Sequence, residues 1–130
     1  MPRIFVVIVM GVWLLAACSP NPPSVISLTA IPVEGDVARG EVLYNTGKDL
    51  APPCAGCHLP NSPASPDLAG FGARAATQVT GESAHEYAFY SITEPGRFIV
   101  PGYGNAMYNQ YDEALTAQEI ADLIAYILTL

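Results

Sequence analysis

Apolar residues near the end of the chain recur with the spacing of one helix face: Ile120, Leu123, Ile124, Ile127 and Leu128 stand at i, i+3, i+4, i+7 and i+8. Thr116-Ala117-Gln118-Glu119 forms a capping box ahead of them, with Leu115 and Ile120 at the two positions of a hydrophobic staple, which predicts a helix from Thr116 with one buried face. Asp36 is placed to cap a second helix running to about Asn45, with Val37, Gly40, Glu41 and Tyr44 on one side and Gly47 to stop it. Ser83 and Glu86 form another capping box, opening a helix through Tyr87, Tyr90 and Ser91 that should end before Pro95. No alternating run is long enough for a sheet, so the pattern is all-α. Residues 59–72 and 95–104 are rich in Pro and Gly and too long to be held by helix packing alone. Something besides side chains should occupy the middle of the domain.

The start of the chain has a different pattern. Arg3 is followed by residues 4–17 without a charge, the length of a secretory h-region and short of the roughly 20 apolar residues that span a bilayer. Leu15-Ala16-Ala17-Cys18 resembles a bacterial lipobox, which reads residues 1–17 as a lipoprotein signal peptide and Cys18 as the acylated residue. The alternatives are an ordinary cleavage site that contains Cys18, or an uncleaved anchor. Pro20, Pro22, Pro23 and Pro32 then block regular helix, so residues 18–34 are expected to form an extended tether and residues 35–130 the folded domain. On this reading the protein is exported, held to the membrane by lipid, with its domain on the periplasmic or extracytoplasmic side.

Composition fits that division. The chain has 130 residues, 51% hydrophobic and 13% charged, with a mean hydropathy of +0.30, but the excess of apolar residues sits in the leader and the remainder is roughly 46% apolar, an ordinary globular fraction. A domain of about 100 residues buries a modest share of its surface unless a cofactor or cross-link adds to the core. Five Lys and Arg stand against 12 Asp and Glu, a net charge of −7. That balance argues against nucleic acid as a partner and for proteins with basic surfaces.

Cys54-Ala55-Gly56-Cys57-His58 supplies the missing centre, because C-x-x-C-H is the attachment signature of c-type haem. On a helical turn positions 54, 57 and 58 share a face, so two thiols can add to the two haem vinyl groups while the adjacent imidazole turns onto the iron. Three other readings of the motif compete: a structural zinc site, which would have to recruit His85 or Cys18; a thioredoxin-like redox pair, which lacks its βαβ context; and a plain local disulfide. An iron held by His58 needs a sixth ligand. Once the leader is removed Met107 is the remaining methionine, in a loop of Gly102, Tyr103, Gly104, Asn105 and Ala106, and His85 is the remaining other histidine, near the start of a helix. Met107 is the favoured ligand, against a role as core gap-filler.

From about Gly35 to the end, the chain resembles a class I (monohaem) bacterial cytochrome c. The residues that carry the likeness are Gly35-Asp36-x-x-x-Gly40 with Tyr44, CAGCH, Pro66-Asp67-Leu68-x-Gly70, Ser91-Ile92-x-x-Pro95, Val100-Pro101-Gly102-Tyr103 with Met107, and Leu123-Ile124-Ala125-Tyr126. The resemblance implies a small cytochrome c fold of about three to five helices packed around one haem c, covalent through Cys54 and Cys57, with His58 as proximal and Met107 as distal ligand. It also implies that the Pro66 carbonyl accepts a hydrogen bond from His58, that Leu68 packs on the haem, and that the helix containing Gly40 crosses the last helix near Tyr126. Arg74 is a candidate partner for a haem propionate on charge and position, the alternative being a solvated side chain. Two departures stand out: Tyr108 follows Met107 where the family usually has proline, and Ser65 precedes Pro66 where it usually has glycine.

A His/Met-ligated haem leaves no open position, so the expected function is electron transfer in a respiratory or photosynthetic chain, without enzymatic activity. The alternative class is a haem enzyme or sensor, a peroxidase or gas-binding protein, with a labile sixth ligand. Partners would be a redox protein donor and acceptor. The Ser-Ile-x-x-Pro and Val-Pro-Gly-Tyr segments resemble cytochrome c domains attached to haem-copper oxidases, and lipid-anchored monohaem subunits occur in complexes such as alternative complex III. The chain would then be either a local shuttle or a subunit of a respiratory complex.

Overall fold

A computed structural model describes residues 26–130; the expected leader, Cys18 and the tether up to residue 25 lie outside the described residues. Five helices follow one another: α1 Val37–Thr46, α2 Phe71–Arg74, α3 Ala84–Thr93, α4 Tyr111–Ala114 and α5 Ala117–Ile127, with single 3-10 turns at Leu28–Ala30, Cys54–Gly56 and Ala75–Thr77. Among the described residues there is no strand, and a lone bridge between Lys48 and Ala51 is the one β-type pairing. No helix among them is long and apolar enough to cross a membrane.

The three longer helices start where their caps require. Asp36 accepts from the Arg39 amide at the head of α1, and the capping boxes Ser83/Glu86 and Thr116/Glu119 are closed in both directions at the heads of α3 and α5. Gly47 ends α1 with φ 65°, a left-handed value that favours glycine. Leu115 and Ile120 are both buried, as the staple demands.

α1 and α5 cross in close contact and form the main helix pair. Gly40 makes the approach possible, since a β-carbon there would overlap the Asp122 carbonyl and press on Tyr126 Cβ. Tyr44 and Tyr126 pack at the same crossing, ring centroids 5.2 Å apart. The expected α1 face is half right: Gly40 and Tyr44 are buried, whereas Val37 is 44% exposed and Glu41 is exposed. The tight crossing admits only the narrow strip on which the glycine lies.

The segment before α1 differs from the expected tether. Ile26 and Ile31 are buried in the core, with Leu28 packed against it. The Glu34 carbonyl accepts from Gln118 Nε2 at 3.4 Å, the Asp36 amide donates to Asp122 Oδ1 at 2.7 Å, and Gly35 sits against the Ala121 carbonyl. Among the described residues the packed body therefore already includes residues 26–34, which the expected tether had claimed. Proline excludes regular helix but not burial, and three apolar side chains between Pro23 and Pro32 are enough to dock this stretch.

Candidate cofactor cleft

The C-x-x-C-H segment is coiled tightly. Pro53 leads into the turn Cys54–Gly56, and the Cys54 carbonyl accepts from the amides of Cys57 at 3.1 Å and His58 at 3.0 Å. Cys54, Cys57 and His58 all line one cleft. No disulfide joins the two cysteines; Cys54 is half-buried and Cys57 exposed. Burial pushes the Cys54 thiol up to about 11, so in this folded state it stays protonated at neutral pH.

His58 is oriented by its backbone surroundings. Its Nδ1 lies 2.8 Å from the Pro66 carbonyl, an oxygen that can only accept, so Nδ1 carries a proton and Nε2 is the nitrogen left to act as a ligand. The loop between them is closed by the Ser65 hydroxyl, which donates to the Cys57 carbonyl. The serine that stands in place of the family's usual glycine thus ties the loop that presents Pro66.

The remaining walls are apolar and come from every part of the domain. Leu68 and Phe71, Tyr87 and Ile92 of α3, and Leu123 and Ile127 of α5 all line the cleft. Met107 lines the same cleft, as do Tyr103, Tyr108 and Tyr111. None of the lining residues is Asp, Glu, Lys or Arg. Tyr111 is buried, packs edge-on against Tyr108 with centroids 5.0 Å apart, and donates from its hydroxyl to the Pro52 carbonyl at 2.8 Å. Burial and the neighbouring Cys54 thiol raise its pKa, so it remains a donor.

Two candidates fall outside the cleft. Arg74 does not line it: the guanidinium donates to the carbonyl of Asp67 at 2.6 Å and to that of Ala69, and stands 5.8 Å from the Phe71 ring centroid. Placed one turn after the 67–70 loop, it ties that loop down through these carbonyls. His85 sits in the first turn of α3, half-buried and away from the cleft. A zinc cage is not assembled either, since among the described residues no three His, Cys, Asp or Glu side chains converge. The Tyr111 to Pro52 bond and the burial of Asp122 have no signature in the sequence; the run Tyr103, Tyr108, Tyr111 is the one hint to the first.

A c-type haem requires two thiols, an imidazole with a free nitrogen, and an apolar slot. The residues in this cleft fit all three. A helical domain of this size, closed round such a cleft, has the architecture of a small haem carrier. The family model for cytochrome c matches residues 37–130, most of the chain, and no curated protein matches it. The chain belongs to the cytochrome c family; its fold is the small all-α cytochrome c fold, and its role is haem binding and electron transfer.

Proposed function

We propose that the chain carries single electrons on one haem c, attached through Cys54 and Cys57 and ligated by His58 and Met107, as a membrane-tethered member of a respiratory or photosynthetic chain. The observation that carries this reading is the His58 Nδ1 bond to Pro66 in the cleft that Met107 also lines. When bound, the haem supplies a one-electron centre whose potential a thioether ligand raises relative to a second histidine. The chain's own residues do the rest. Pro66 fixes the imidazole ring and strengthens it as a donor. Leu68, Leu123 and Ile127 keep water from the centre of the cleft. Phe98 and Ile99 line the cleft and stay 37% and 41% exposed, which gives a partner an uncharged surface to approach.

Tethering through lipid on Cys18 goes with an extracytoplasmic domain. Because Ile26 is packed, the eight residues 18–25 reach at most about 28 Å, well below the reach of a free tether up to residue 34. So short a tether favours exchange with partners in the same membrane. Donor and acceptor would carry basic docking surfaces.

The test is spectroscopic. The ferric holoprotein should show the weak red thioether-to-iron band, and the reduced protein should not bind carbon monoxide. Met107→Ala should abolish the band, lower the potential and admit carbon monoxide. Ready carbon monoxide binding by the wild type would instead support the enzyme or sensor class. Loss of acyl labelling in Cys18→Ala checks the tether separately.

A further inference from the structure

The loop that presents Met107 is poorly tied by polar contacts. Among the described residues, no hydrogen bond joins residues 104–109 to the rest of the chain; the nearest ones are Tyr103 to Val100 before it and the Gln110 carbonyl at the head of α4 after it. Asn105 lies beside Gly96, where a β-carbon would come within 3.1 Å of its Nδ2. A second, polar hollow lies against the loop, lined by Met107 itself together with Glu94, Arg97 and Asn109, so the loop's hold on the body rests on the packing of Met107 and Tyr108 against the core. Tyr108 follows the methionine, so the backbone there lacks the fixed φ that a proline would supply.

One chain of contacts crosses the cleft from this loop. Tyr108 packs edge-on against Tyr111, and the buried Tyr111 hydroxyl donates to Pro52, two residues before Cys54. It therefore links the segment bearing Met107 to the segment bearing the attachment cysteines. We propose that Tyr108 and Tyr111 are positioning residues that latch the Met107 loop closed against the Pro52 carbonyl and so set how readily the sixth position opens to an outside ligand; this rests on the reading of Met107 as iron ligand. The aromatic pair holds the loop by packing and one part-buried hydrogen bond. Tyr111→Phe deletes the bond, while Tyr108→Ala removes the ring contact.

The experiment is imidazole titration of the ferric holoproteins, followed by loss of the thioether-to-iron band, with thermal melts by far-UV circular dichroism alongside. Tyr111→Phe should bind imidazole about fivefold to tenfold more tightly than the wild type, the size expected for the net worth of one hydrogen bond. Tyr108→Ala should shift in the same direction, and Tyr108→Phe, which keeps the ring, should behave as wild type. Asp122→Asn, which weakens the fold away from the loop, should leave imidazole affinity unchanged. Wild-type affinity in both Tyr111→Phe and Tyr108→Ala overturns the latch alone. A wild-type protein that lacks the thioether band overturns the Met107 reading and the latch with it.

Discussion

Asp122 is a carboxylate with 1% of its surface exposed, a setting that by itself favours the neutral acid. Four donors reverse that preference: the Asp36 amide at 2.7 Å, Arg39 Nε at 2.7 Å and Nη2 at 3.1 Å, and Gln118 Nε2 at 2.9 Å. Desolvation raises its pKa, but the bonds from Arg39, Asp36 and Gln118 outweigh it and hold the group below the ordinary carboxylate value. A pKa depressed on folding contributes stability that is complete above the unfolded value, near pH 4, and is lost as pH falls through the folded one. Acid should therefore destabilise the wild type below about pH 4. Asp122→Asn should cost about 2 kcal/mol at pH 7 and flatten this acid limb; urea melts at pH 7 and pH 3 check both. An undiminished acid limb in the variant would place the effect on other carboxylates such as Glu119, whose pKa Lys48 helps to lower. Position 122 lies off the apolar stripe of its helix, and its partners Asp36 and Arg39 are 86 and 83 residues away. No local pattern could mark it as buried.

Elements were legible where local rules act over several turns. The capped helices α1, α3 and α5 begin within a residue of their expected starts, because each cap is written in four adjacent residues. The four-residue helices α2 and α4 have no such signature, since one turn shows no periodicity and both are held by the loops around them. The attachment turn was legible for the opposite reason: its chemistry requires fixed spacing in five residues. Proline is misleading over residues 26–34, where burial depends on a docking surface built about 90 residues later. The α1–α5 crossing allows a sharper test, because its closeness depends on Gly40. Gly40→Ala puts a methyl group into the Asp122 carbonyl. It should lower stability by about 1–3 kcal/mol despite the better helix propensity of alanine. A Gly40→Ala variant as stable as wild type in denaturant melts would show that the helices can separate at no cost.

For the whole molecule, net charge understates how one-sided the surface is. Each of the four cations among the described residues is already engaged: Arg39 with Asp36 and Asp122, Lys48 with Glu119 at 2.7 Å, Arg74 with the carbonyls of its own loop, and Arg97 with Glu82 at 2.8 Å and the face of Tyr90. Glu34, Glu41, Asp49, Asp67 and Glu113 have no cationic partner among these ion pairs, and the cleft itself brings no charged side chain to its mouth. A partner would therefore meet an uncharged cleft rim on a net-acidic domain, in which Arg74 is the one described cation not paired with a carboxylate. Attraction of a basic partner would act at long range and raise the encounter rate more than the affinity of the docked pair. Screening is strong beyond about 10 Å at 0.1 M salt, so the second-order rate with a basic redox protein should fall by about tenfold or more between 10 mM and 300 mM salt. With an acidic partner the rate should rise over the same range. Stopped-flow oxidation by a basic and by an acidic redox protein of similar potential measures both slopes. Equal, flat slopes would place recognition in the uncharged rim alone.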